Sequence, residues 1–210
     1  MEKAYKNLGY FFLLLIPLTF LGFYKTYFVQ FPDFEENLTT FIHLHAIIAS
    51  IWILLLVVQP LLIIYRKNQL HRKIGKLSYI VFPILILSFV PQMIRIINSD
   101  APQILFFPMA DSVLLILFYS LAMYNRRTVS KHMRYILGTA TVFLGPTIGR
   151  IGPQILEWSE HVTQNLQYGI IYLILIGLIF YDKRNEKNYR PYLLILSTWV
   201  IHQITFNLLF

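Results

Sequence analysis

Six ionisable residues interrupt the apolar runs of this 210-residue chain: His43, His45, Arg95, Asp111, Arg150 and His202. Such groups are costly inside a membrane, so each needs a chemical or structural reason. Non-covalent haem b in a helical bundle takes axial ligands from separate helices, commonly two His. His43 or His45 with His202 supplies that pair, and Arg95 and Arg150 match propionate carboxylates. A quinone or another small hydrophobic ligand belongs to the same redox reading. Zinc takes three protein ligands plus an activated water. His43 or His45 with Asp111 and His202 makes such a set, with Asp111 the candidate catalytic residue and a lipid amide or ester as substrate. Buried charges and the prolines at 83, 91, 108 and 146 also fit a small transporter. A non-catalytic membrane assembly factor is the remaining reading.

Each residue has a structural alternative as well. His43 suits a membrane interface, and His45 and His202 suit hydrogen-bonded packing between helices. Asp111 suits a partnership with Arg95 or Arg150, and both arginines can reach outer headgroups. His43 and His45 are two residues apart, about 200° around a helix, so they face opposite ways. His45, Trp52 and Gln59 recur every seven residues and share one face. Asp111 lies roughly 12 Å from the outer end of its segment. It is the only acid read well inside a span. His71 and His132 sit in basic loops and suit surface positions; in the haem reading they supply an inner counterpart to the outer His set. His161 follows Glu157 and Glu160 and reads as solvated.

The elements that must position these residues follow from composition. Hydrophobic residues make up 57% and charged residues 13% of the chain, with a mean hydropathy of +0.59. Soluble domains carry about 25% charged residues. Cysteine is absent, which excludes disulfides, thiolate zinc sites, iron–sulfur clusters and covalent haem. Seven apolar segments approach membrane-spanning length: Leu8–Tyr24, Thr39–Tyr65, Leu77–Ile97, Gln103–Tyr124, Tyr135–Ile151, Leu166–Tyr181 and Pro191–Phe210. The first follows Lys3 and Lys6 but ends on bulky residues, so it reads as a retained helix rather than a cleaved leader. The last contains no lysine, which argues against retinal.

The net charge of +8 is distributed by side. Fifteen Lys and Arg fall at the N-terminus and in the loops Arg66–Lys76, Arg126–Arg134 and Asp182–Arg190; three (Lys25, Arg95, Arg150) fall on the other side. Three acids (Glu2, Asp182, Glu186) join the first group and six (Asp33, Glu35, Glu36, Asp100, Glu157, Glu160) the second. By the positive-inside rule the N-terminus is inside and the C-terminus outside. Clustered loop charge of this kind is a topology signal and does not indicate nucleic acid. The short loops leave one transmembrane domain over 1–210.

Two hairpins read alike. His71-Arg72-Lys73-Ile74-Gly75 leads to Pro91…Arg95-Ile96, and His132-Met133-Arg134…Gly138 leads to Pro146…Arg150-Ile151. Parallel repeats occur in membrane proteins. The stretch His43-Leu-His45…Trp52…Gln59-Pro60…His71-Arg72…Gly75…Ser78-Tyr79, with His132-Met-Arg134-Tyr135…Gly145-Pro146…Gly149-Arg150, resembles a family of bacterial multi-pass membrane proteins frequent in Bacteroidetes. The resemblance spans about half the chain. It implies motif positions at His45, Trp52, Gln59, His71, Arg72, His132, Arg134 and Arg150, and it carries no activity. The helix-borne His also resemble cytochrome b561-type proteins, although regularly paired mid-helix His are missing. The expectation is therefore an all-α polytopic transmembrane bundle of seven helices in a bacterial inner membrane.

Overall fold

Prolines, caps and apolar runs divide this chain into helices and nothing else among the described residues. The computed structural model describes residues 5, 7–34 and 40–210. Glu2, Lys3, Lys6, Glu35, Glu36 and Thr39, used above for charge and boundaries, lie outside them. Two compact units form, Met1–Ser112 and Val113–Phe210.

In the first unit, α1 (Leu8–Leu13) and α2 (Leu15–Phe23) precede a 3-10 turn at Phe28–Gln30 and the long α3 (Thr40–Ile64). Then come α4 (Asn68–Gly75), α5 (Ser78–Leu87), α6 (Val90–Ile97), a 3-10 turn at Pro102–Leu105 and the start of α7 (Phe106–Tyr124). Helix α3 runs on through Pro60. The break between α5 and α6 falls at Ser88-Phe89, just before Pro91, which stands in the first turn of α6 where its missing N–H costs nothing. Helices α1, α4 and α5 pack on α3. The core of this unit is Phe12, Leu15, Trp52, Ile53, Leu56, Val57, Phe82 and Leu85.

The second unit holds the rest of α7, then α8 (Val129–Val142), α9 (Leu144–Ile155), α10 (Glu160–Arg184) and α11 (Arg190–Leu209). Helix α10 packs on α9 and α11, and α8 packs on α11. Phe118, Tyr168, Ile171, Leu175, Tyr192, Ile195 and Trp199 are fully buried there.

Among the described residues, five helical stretches are long and apolar enough to cross a membrane: Thr40–Ile64, Asn68–Ile97, Pro102–Tyr124, Glu160–Arg184 and Arg190–Leu209. Gly9–Phe23 is a shorter apolar helix, and the expected segment Tyr135–Ile151 is divided between α8 and α9 at Phe143. The expected segment Leu166–Tyr181 falls short at both ends of the 25-residue helix α10. Helix α10 starts at the Ser159 N-cap, whose Oγ accepts from the Val162 N–H at 3.3 Å. Glu160 favours the first turn, and Lys183 and Arg184 favour the last. Hydropathy alone discounts the polar residues of α10 that the fold buries, namely Gln164, Gln167 and Asp182.

Candidate functional site

Aromatic residues dominate the turn between α2 and α3. Phe20, Tyr24, Tyr27, Phe28, Val29, Phe31, Phe34, His43 and Ile47 line a cavity of about 710 Å³. One polar pair stands on its wall: the Tyr27 hydroxyl and His43 Nδ1 share a hydrogen bond of 2.8 Å. Burial pushes the Tyr27 phenol above its ordinary 10.0, so the hydroxyl keeps its proton and is able to donate. With the phenol as donor, the imidazole proton stands on Nε2. Phe34 closes on the same ring edge-on, at 4.6 Å between centroids. The arrangement is an open aromatic box with one N–H donor at its wall.

The opposite face of α3 is tied to the helices that follow it. His45 Nδ1 lies 2.8 Å from Ser88 Oγ, whose own proton goes to the Leu85 carbonyl at 2.6 Å, so His45 Nδ1–H is the donor. Trp52 packs on Phe82 at 5.2 Å. With its amide nitrogen turned toward His71, Gln59 donates to the His71 carbonyl at 3.1 Å and to Nδ1 at 2.5 Å, and accepts from the Gly75 N–H at 3.0 Å. The seven-residue spacing thus marks a packing face. His43 and His45 serve different neighbours, as their angular separation requires.

In the second unit His132 Nδ1–H donates to the Ala122 carbonyl at 2.9 Å, near the C-terminal end of α7. Burial holds its pKa below the ordinary 6.5, against the opposing effect of that bond. His202 is 5% exposed and its Nδ1 meets the Tyr168 hydroxyl at 2.7 Å. Trp199 and Tyr168 close on its ring at 5.1 and 5.6 Å. The Trp199 indole donates to Thr141 Oγ1 at 2.9 Å. Arg150 donates to the carbonyl of Pro146 on its own helix at 2.8 Å.

One pair overturns the loop assignment of two residues. Arg134 and Asp182, both placed in inside loops by the sequence, are 0% exposed. The guanidinium grips the carboxylate with two bonds, Nε to Oδ2 at 2.7 Å and Nη2 to Oδ1 at 2.9 Å. Nη1 donates to the Ser130 carbonyl at 2.8 Å, and the Tyr192 ring lies 5.7 Å from Cζ. Asp111 is therefore not the only acid taken out of water; it is half-buried, whereas Asp182 is enclosed. A signal for this was legible. Asp182 follows the run Gly169–Tyr181 with no breaker between them, so the helix carries it onward. Tyr27 and Tyr168, the two phenols that hold imidazoles, had no spacing signal.

Arg95 is exposed at the end of α6. Among the described residues no three His, Asp or Glu side chains form a group able to hold a metal ion. A haem plane beside His202 would displace the rings that enclose it, so the residues around His202 do not fit a macrocycle. No family model, curated protein or solved structure matches the chain.

Proposed function

We propose that the protein is an integral membrane protein that binds a quinone-class ligand in the aromatic cavity between α2 and α3. The observation that carries this reading is the Tyr27–His43 pair on the wall of a 710 Å³ aromatic cavity. Ligand sites of this kind are mostly apolar, with a few placed polar groups, and run from about 300 to 1,000 Å³. A quinone offers a flat ring that packs against Phe and Tyr. Its carbonyl oxygen accepts from His43 Nε2–H, while the Tyr27 hydroxyl holds the tautomer from behind. Its apolar tail is at home beside the exposed Phe31 and Ile47.

In the same reading the chain crosses a bacterial cytoplasmic membrane seven times, N-terminus inside. The charge asymmetry of the loops supports it. The two hairpins act as repeats, for each turns its inner imidazole back on the preceding helix: His71 on Gln59 and His132 on Ala122.

Photolabelling tests the proposal. The full chain in lipid nanodiscs is irradiated with an azido-ubiquinone analogue and digested. Label is expected within residues 20–47, displaced by unlabelled ubiquinone. His43→Ala removes one hydrogen bond and weakens labelling up to about tenfold. Labelling that does not saturate, or that His43→Ala leaves unchanged, overturns the reading.

A further inference from the structure

The turn from α3 into α4 forms a second cavity, of about 380 Å³, lined by Arg66, Lys67, Asn68, Gln69, Leu70 and Lys73. Three of the six are cations, and all are exposed. The chain holds no Asp or Glu between residues 37 and 99, so this stretch offers them no acid. The backbone adds a second observation. Arg66 has φ 60, the left-handed conformation in which helices commonly end on Gly or Asn. A glycine would fill that position without steric cost and would leave out the guanidinium. Exposed apolar side chains adjoin the cations along the chain: Tyr65 precedes Arg66, and Leu70 lines the cavity itself, at 62 and 42% exposed. A cationic hollow with Tyr65 and Leu70 exposed beside it complements an amphiphile with an anionic head.

We propose that this cavity seats the phosphate of an anionic membrane phospholipid, held by Arg66, Lys67 and Lys73, with the acyl chains against Tyr65 and Leu70. The guanidinium fork suits phosphate oxygens, and lysines add point charges. Basic pockets at the cytoplasmic ends of spanning helices suit such headgroups. The proposal rests on the membrane reading above but not on the quinone, since the two cavities share no residue.

Native mass spectrometry of the full chain, released from detergent, tests it with three probes: phosphatidylglycerol, phosphatidylcholine and inorganic phosphate. Phosphatidylglycerol adducts are expected to be retained over the other two. The triple variant Arg66→Gln/Lys67→Gln/Lys73→Gln is expected to weaken them about a hundredfold, from the contribution of each cation at a membrane surface. Lys183→Gln/Arg184→Gln/Lys187→Gln, with the same charge loss elsewhere, is expected to stay within about twofold. If the triple variant loses its helical circular dichroism, Arg66→Gln alone carries the test, with about a fivefold loss. Equal retention of phosphatidylcholine, equal retention of free phosphate, or equal effects of the two triple variants overturns the proposal. A failed membrane reading shows separately, as protein that stays in solution without detergent.

Discussion

Arg134→Met removes the guanidinium that grips Asp182 and leaves that carboxylate at a position with 0% exposure. Breaking one side of a buried ion pair costs about 3–5 kcal/mol. The bidentate bonds, 2.7 and 2.9 Å, put this pair at the strong end. Asp182→Leu is expected to be milder, near about 3 kcal/mol. Its orphaned guanidinium keeps the Ser130 carbonyl and the Tyr192 ring. The double variant Arg134→Met/Asp182→Leu removes both charges together, and buried pairs replaced by apolar residues are often neutral or stabilising by about 1–4 kcal/mol. The double is therefore expected to be more stable than either single, with a coupling of at least about 3 kcal/mol. Unfolding by sodium dodecyl sulfate from a mild detergent, followed by far-ultraviolet circular dichroism for all four proteins, measures this. A cost below about 1 kcal/mol for Arg134→Met, or additive singles, refutes the reasoning and makes the pair a solvated contact.

Three further outcomes rest on the packing and on one titratable group. A Cβ on Gly152 overlaps Thr163 Oγ1 and Cγ2 and lies 2.7 Å from Thr163 Cβ, so the α9–α10 crossing must open. Gly152→Ala is expected to cost about 1–3 kcal/mol and to be partly rescued by Thr163→Gly. Gly169→Ala, with nothing within 4 Å of its added Cβ, is expected to be neutral or up to about 1 kcal/mol stabilising in the same unfolding assay. His132 is held below its ordinary 6.5 by burial, so the folded state binds fewer protons than the unfolded one. Its contribution is complete above pH 6.5 and is lost as pH falls below that value. Unfolding midpoints measured at about pH 8 and pH 5.5 are expected to differ less in His132→Asn than in the parent; equal differences would remove His132 from the account.

Sequence alone determined the helical class, most of the long apolar segments and the clustering of charge between them, because these depend on local composition and period. It also determined that His43 and His45 serve different neighbours, since 100° per residue leaves no choice. The His45, Trp52 and Gln59 face was legible for the same reason, although its partners Ser88, Phe82 and His71 were not. Tertiary structure decided everything that depends on what lies opposite a side chain. Arg134 and Asp182 looked like loop charges because hydropathy scores each residue by itself. Only the approach of α8 to the end of α10 gives each the counter-charge that makes burial tolerable. Tyr27 and Tyr168 were invisible among 14 tyrosines for that reason too. A phenol becomes a partner when a fold brings an imidazole within hydrogen-bonding distance, and no spacing along the chain encodes that approach.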